Sequence, residues 1–380
     1  MVSLAVLIFL LAMSLIALTY VVYPVWQLIF PGKPIDFTGE YTPPSVSIVF
    51  AAYNESSIIE DKIRSIYRTN YPIHLISVWI GSDLSDDGTD DIIRDLQSEF
   101  PQLNLHVNDT RSGKSATINL LVERTTAEVI IATDANILFK ETTIEELVRP
   151  IALQKTTAVA GTLAYETRGV TNSTATTEKA YLSLENAIRR AESRKHGICF
   201  GMEGGLYSMN KAFWKPIPPN TFMEDFFQTV QLIAQDQKVL FNEDAIGLED
   251  VSTSLQEEYK RKIRISIGNW QNLIRFYPLL LKRPYPFGFL FIMHKVLRWL
   301  TPHLYLIALI AGFFTSQWLI ISILLIGLPV SQFILMSFGL ATPLAYFYAM
   351  NAALFIGFLR YLKGVKSSVW QPTKRNQHES

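Results

Sequence analysis

The stretch Glu128–Asn136, EVIIATDAN, decides the fold. From Val129 to Ala132 it runs apolar and β-branched without a polar break. That is the pattern of a strand covered on both faces, and such strands belong to parallel sheets flanked by helices. The run stops at Asp134, skips one position and offers Asn136. Ligands of open parallel sheets bind beyond the carboxyl ends of the strands. The pattern therefore carries weight only if other strands of the chain end in the same way.

They do. SVSIVFAAYNE (Ser45–Glu55), ISVWIGSD (Ile76–Asp83) and LNLHVND (Leu103–Asp109) are short apolar runs that finish in polar residues. Between them lie segments with helical spacing: Ser56–Arg68, with Ile58, Ile59, Ile63 and Ile66 on related faces, then Asp90–Gln97 and Ala116–Glu123. Strand alternating with helix predicts an α/β domain with a mostly parallel, Rossmann-like sheet. The clusters Tyr53-Asn54-Glu55, Asp83 to Asp87, Arg111 to Lys114 and Asp134 to Asn136 all fall at strand ends. Each alone has an ordinary reading; Asp86-Asp87-Gly88-Thr89, for instance, is a turn and helix cap.

Several chemistries are excluded. A phosphate loop ending in Gly113-Lys114-Ser115 would need glycine at position 108, which is Asn108. No GxGxxG follows the first strand, no HExxH occurs, and the six histidines are scattered. One cysteine, Cys199, leaves neither a disulfide framework nor a cysteine-based zinc cage. Lys+Arg 34 against Asp+Glu 34 gives no net charge that would favour nucleic acid.

The hydrophobic fraction of 49% is concentrated at the two ends of the chain. Leu4 to Phe30 carries no charge and is long enough for a bilayer core of about 30 Å. It lacks the basic start of a signal peptide, so residues 1–32 are expected to be a retained transmembrane helix. Lys33 after it places the middle of the chain in the cytoplasm. Further spans are expected at Ser316–Ser337 and Ala341–Leu362 within a C-terminal membrane region, 287–364. There His294, Lys295 and Arg298 should sit at the interface, leaving Trp299–Phe314 re-entrant or interfacial. Residues 267–286 read as an amphipathic helix on the membrane surface, and 365–380 as a cytoplasmic tail.

The ordered set Tyr53-Asn54-Glu55, Ser82-Asp83 to Thr89, Arg111-Ser112-Gly113-Lys114, Thr133-Asp134-Ala135-Asn136, Glu203-Gly204-Gly205 and Glu224-Asp225 resembles a family 2 glycosyltransferase with a GT-A fold. RKIRISIGNWQ (Arg261–Gln271), HKVLRWL (His294–Leu300) and VWQPTKR (Val369–Arg375) resemble its membrane-attached branch, which includes polysaccharide synthases and lipid-directed sugar transferases. The resemblance implies a GT-A domain over 44–266, a nucleotide-sugar donor, a lipid-linked or glycan acceptor and contact with membrane lipids. It implies a bacterial inner (plasma) membrane location with the catalytic domain cytoplasmic.

It also implies roles. Ala52, Tyr53, Glu55, Asp83, Arg111, Lys114, Asp134 and Arg264 would bind the nucleotide, with Asp83 reading the base edge or ribose. Asp134 and Asn136 would hold Mg²⁺ or Mn²⁺, which prefer carboxylate and water oxygens and neutralise a leaving diphosphate. The second position is usually aspartate, so Asn136→Asp should tighten the metal if this residue ligates. Asp225 would be the catalytic base, because an inverting transfer needs one carboxylate facing the acceptor hydroxyl. Glu203, Gly204, Gly205 and Glu224 would lie at the donor or acceptor sugar. Processive synthases carry Gln-x-x-Arg-Trp where this chain has Arg261 to Ile265, so a single addition is expected, with Trp270 a substitute sugar platform. The alternatives are a processive exopolysaccharide synthase and a non-catalytic GT-A scaffold.

Overall fold

The computed structural model describes residues 3–166, 173–202, 205–250, 255–337 and 342–364. After a helix α1 (Leu4–Ile29) the chain enters the α/β region. Its elements are β1 (Val46–Ala52), α2 (Ile59–Tyr67), β2 (Ile76–Ser82), α3 (Thr89–Gln97), β3 (Leu103–Val107), α4 (Lys114–Arg124) and β4 (Val129–Thr133). There follow β5 (Leu138–Phe139), α5 (Thr143–Ala152), β6 (Ala158–Glu166), α6 (Ser173–His196), β7 (Leu206–Asn210), α7 (Glu224–Ala234) and β8 (Val239–Asp250). The C-terminal third is helical: α8 (Leu255–Lys282), α9 (Pro284–Phe313), α10 (Trp318–Leu335) and α11 (Pro343–Leu362).

The chain divides into two compact units. One comprises Pro31–Gly169 and Arg189–Thr253 with the tail, the other Met1–Phe30, Val170–Ile188 and Ser254–Gly364. In the first, eight strands form one sheet in the order β3-β2-β1-β4-β7-β6-β8-β5. The expected parallel arrangement holds for β3-β2-β1-β4; β7 runs antiparallel to both β4 and β6, which makes the sheet mixed. Every residue of β1 and β4 is buried, as strands covered on both faces should be. Parallel register puts Ala52 beside Ser82 and Ser82 beside Val107, so the three following loops emerge side by side. Antiparallel pairing of Thr133 with Leu206 brings Gly205 next to Asp134. The core cluster joins Ile48 and Phe50 of β1, Ile59, Ile63 and Ile66 of α2, and Ile131 and Ile137 around β4.

In the helical unit, α1, α9 and α10 are each long and apolar enough to cross a membrane. The expected short span after Trp299 is instead the end of a 30-residue helix that begins at Pro284. His294, Lys295 and Arg298 converge on one buried carboxylate, Glu185 of α6, with His294 Nε2 at 2.9 Å from Oε1 and Arg298 Nη1 at 2.5 Å from Oε2. Pairing within the protein is what lets these charges sit inside an otherwise apolar helix. The helix expected over 267–286 is part of the longer α8, which crosses α11 closely. A Cβ on Gly357 would come within 2.4 Å of Ser266 Cβ.

Strand β2 lies so close to α4 that a Cβ on Gly81 would fall 2.1 Å from Thr117 Cγ2. Thr117 is stiff at χ1 and its hydroxyl bonds Gly113 O and Asn108. Gly81→Ala should therefore displace the start of α4 and cost about 1–3 kcal/mol, measured as a lower denaturant midpoint.

Candidate active site

The four loops beyond β1, β2, β3 and β4 are stitched together by their own polar side chains. Asn54, at φ 54°, donates from Nδ2 to Asp86 Oδ1 (2.7 Å), and its Oδ1 accepts from Asp86 N (3.0 Å). Asp87 accepts from Ser56 N (3.0 Å) and Thr89 N (3.0 Å), while Glu55 N donates to Thr89 Oγ1 (2.9 Å). Asp87 thus clasps the first loop to the second as well as turning the chain into α3. Burial works to raise its pKa, but the hydrogen bonds from Thr89 and Ser56 outweigh it and hold the carboxyl below its ordinary value. Leu84 sits at φ 66° with its side chain exposed, a strained conformation for a γ-branched residue.

Asp83 has a different occupation from the one expected. Its side chain is 1% exposed. It accepts from Ser112 N (2.7 Å), Asn108 Nδ2 (3.0 Å), Arg111 Nε (3.1 Å) and Gly113 N (3.2 Å). Gly113 reaches this position with φ 79°, where a side chain would be strained. A carboxylate so enclosed organises the loop between β3 and α4. What it holds up is Arg111, whose guanidinium lies 3.3 Å from the centroid of the Tyr53 ring. Tyr53, Arg111 and Asp83 thus form one layered unit, and Ala52 O fixes its base by accepting from Asp83 N (2.9 Å).

Lys114, the first residue of α4, bridges two acids. Its Nζ lies 2.6 Å from Asp134 Oδ1 and is also paired with Glu224 Oε1. Neighbouring Ser115 donates to Thr221 O (2.8 Å), which holds the approach to α7 against α4 and so presents Glu224 to the lysine. Burial alone would lower the Lys114 pKa, but Asp134 and Glu224 outweigh it and raise it. Asp225, the next residue of α7, is 7% exposed. Burial first, then the Glu224 carboxylate, push it up to about 7, against the pull of Lys114. Tyr207 of β7 is buried nearby, and burial together with the charges of Glu224 and Asp225 pushes its hydroxyl up. Of two adjacent acids, one is neutralised by a lysine and the other is a weak acid. Such a split marks candidate acid–base sites.

The remaining residues separate. Asp134 is 35% exposed at its side chain and open to a ligand. Asn136 is 7% exposed, with Nδ2 3.4 Å from Glu249 Oε1 of β8. Among the described residues no three His, Cys, Asp or Glu side chains are grouped to hold a metal unaided. A single part-exposed carboxylate nevertheless suits Mg²⁺ or Mn²⁺ shared with a substrate's phosphates, so Asp134 fits such an ion, while the bond of Asn136 to Glu249 engages its amide nitrogen and not the oxygen that would ligate. Gly205 is buried, its O accepting from Thr133 Oγ1 (2.7 Å), and a Cβ there would meet Ile137 at 3.1 Å and Leu163 at 3.2 Å. Packing accounts for that glycine. Glu203 and Gly204 lie outside the described residues. Arg264 and Trp270 belong to α8 in the helical unit, where Trp270 packs on Phe358 (ring centroids 4.6 Å) and His303 (5.5 Å).

One residue escaped the sequence reading. Lys62 of α2 is 0% exposed, and its Nζ donates to Thr133 Oγ1 (3.0 Å) and Ile137 O, the two ends of the turn that carries Asp134 and Asn136. Its position three residues after Ile59 and four before Ile66 puts it on the apolar face of its helix, a legible but unused signal.

Because Asn136 faces Glu249, Asn136→Asp should place like charges together in a buried setting. The expected outcome is a lower melting temperature, about 1–3 kcal/mol of stability lost.

With this geometry in view, residues 47–214 match the sequence model of Glycosyl transferase family 2. The beta-monoglucosyldiacylglycerol synthase of Trichormus variabilis is 34% identical over 95 residues, 24% of this chain and 20% of that protein. Glycosyltransferase AglE of Haloferax volcanii is 25% identical over 95 residues, 25% of this chain and 31% of that one. The chain thus spans about a fifth to a third of the length of these relatives. In fold it is similar to a mannosyltransferase, PcManGT from Pyrobaculum calidifontis, whose structure was solved with GDP-Man and Mn²⁺. The TM-score is 0.71 at 21% identity, covering 93% of this chain and 99% of that one. The fold is therefore that of a GT-A protein, and the part of the sheet within residues 47–214 carries the sequence pattern of glycosyl transferase family 2.

Proposed function

We propose that the protein is a membrane-bound, inverting glycosyltransferase that moves a sugar from a nucleotide donor, UDP-linked by the resemblance, to a lipid-linked or membrane-proximal saccharide. The observation that carries this reading is the division of labour at α7: Glu224 is bound to Lys114, while buried Asp225 titrates near neutrality. A base whose pKa lies near the working pH serves general-base catalysis best.

In this reading Asp225 accepts the proton of the acceptor hydroxyl as its oxygen bonds to the anomeric carbon and the bond from that carbon to the diphosphate oxygen breaks. Lys114 is placed to follow the diphosphate, exchanging a carboxylate for phosphate oxygens. Arg111, stacked on Tyr53, forms one wall of the nucleotide pocket. A divalent ion at Asp134 would supply Lewis-acid neutralisation of the leaving diphosphate. The three apolar helices support membrane attachment. A relative named for synthesis of a glucosylated diacylglycerol supports a lipid acceptor.

The test uses the full chain in nanodiscs, UDP- and GDP-sugars, Mn²⁺ or Mg²⁺, and release of nucleoside diphosphate. Turnover is expected with one donor. Asp225→Asn should lower kcat by about 10²- to 10⁴-fold with little change in donor KM. Because only ionised Asp225 accepts a proton, the wild-type rate should rise with pH through about 7 and level off above it. A rate flat from acid to alkaline pH, or an Asp225→Asn enzyme as fast as wild type, removes the base assignment. A donor panel with no turnover and no thermal shift returns the fold to a non-catalytic scaffold.

A further inference from the structure

Tyr207 of β7 stands in the middle of the sheet with an alanine on either side. Its register partners are Ala132 of β4 and Ala160 of β6, and all three residues are at most 4% exposed. Paired residues of neighbouring strands point to the same face, as do residues two apart along one strand. Ala132 is paired with Val49, and Ala51, two residues on, with Gly81, whose Cβ direction meets Thr117 of α4. The phenol ring therefore rises on the α4 side of the sheet, in a slot that two small neighbours leave for it. The charges that weigh on its hydroxyl are Glu224 first, then Asp225, Lys114 and Asp134, so the ring ends among the groups of the candidate site.

Among the described residues, no hydrogen bond joins the Tyr207 hydroxyl to the protein. A buried phenol without a partner is costly, and phenylalanine would fill the slot equally well. Tyr67 lacks a partner too, but its oxygen is sealed, burial alone acts on it, and its ring stacks on Phe100 at 4.1 Å. The Tyr207 oxygen is not sealed in that way, and it faces acids and a lysine. The chemistry of a partner here is narrow. A phosphate oxygen could accept from the phenol but has no proton for Asp225. A hydroxyl serves both, accepting from the one and donating to the other.

We propose that Tyr207 is a second catalytic residue, donating a hydrogen bond to the oxygen of the acceptor hydroxyl whose proton passes to Asp225. The inference rests on the base assignment above. A hydroxyl oxygen carries one proton and two lone pairs. With the proton held to Asp225 and one lone pair to Tyr207, the other lone pair is left to bond the anomeric carbon. Orientation of this kind removes part of the entropic barrier to attack. The bond from that carbon to the diphosphate oxygen breaks as the new one forms, and the phenol keeps its own proton throughout. Burial and the neighbouring carboxylates make it a much weaker acid than Asp225.

The experiment measures nucleoside diphosphate release by the full chain in nanodiscs, from UDP- and GDP-sugars with Mn²⁺, with water alone or dioctanoylglycerol as acceptor. Tyr207→Phe removes only the hydroxyl and leaves the ring in its slot. It should slow release about 10- to 100-fold with the acceptor that the wild type uses. Donor KM should stay within about 2-fold of wild type, and the melting temperature should not fall. A Tyr207→Phe enzyme as fast as wild type overturns the inference. A rise in donor KM that accounts for the loss gives the hydroxyl to the donor instead, and a lower melting temperature gives it to the fold; either overturns it too. In all three cases a slow Asp225→Asn enzyme leaves the base assignment standing. Wild-type protein that releases nothing from any donor, or an Asp225→Asn enzyme as fast as wild type, sinks that assignment and the inference with it.

Discussion

One ammonium shared between two carboxylates underlies the chemistry of the sheet's mouth. Asp134 arrives at the end of β4 and Glu224 with Asp225 at the start of α7, so three acids are directed to one region by separate parts of the chain. Like charges gathered out of water raise one another's pKa until a cation intervenes. Lys114 intervenes for two of them. Asp225 is left with burial and a charged neighbour, and becomes a weak acid suited to take a proton. The same lysine therefore holds α4 to α7 and, by choosing its partners, decides which carboxylate is left a weak acid.

The loops around this pair are rigid for a similar reason. Asp83 spends its acceptor capacity on the chain between Asn108 and Gly113, and Asp87 spends its own on Ser56 and Thr89. Both carboxylates, Asp83 with its expected nucleotide role and Asp87 with its expected cap, hold these loops in place. What they present is secondary to them: the Arg111 guanidinium on the Tyr53 ring, and the turn into α3. Preorganisation of this kind spares the site the ordering cost that a flexible loop incurs when a ligand binds.

Much of this was legible in the residues. The unbroken apolar runs gave away β1 and β4, and parallel strands bring their carboxyl ends together, which set the clusters around Lys114 and Asp134 on one side; Glu224 and Asp225 entered only through the resemblance. The antiparallel course of β7 was not legible, since a buried five-residue strand carries no mark of its direction. The packing of Gly205 followed from that course: pairing with β4 sets it against Ile137 and Leu163. The contact of Asn136 with Glu249 was not legible either, because its partner is 113 residues away. Lys62 was passed over because a lysine in a helix is by default a solvated one, although its place on the Ile59–Ile66 face contradicted that default.

The ion pair between Lys114 and Asp134 also constrains how the site fills. A cation can reach the Asp134 oxygen only in competition with the ammonium already there, so metal alone must break a pair that it only partly replaces. A diphosphate arriving with the metal changes the sum, because Lys114 then leaves one anion for another. The exchange preserves the number of close opposite charges, and electrostatic cost is small when pairs are traded instead of broken. Metal and donor should therefore bind with positive coupling, each raising the affinity for the other by the same factor. When Lys114 moves toward phosphate, Glu224 and Asp225 lose part of its field, which strengthens Asp225's hold on a proton. In the proposed reaction the pH at which the rate levels off therefore lies higher for the donor complex than for the free protein.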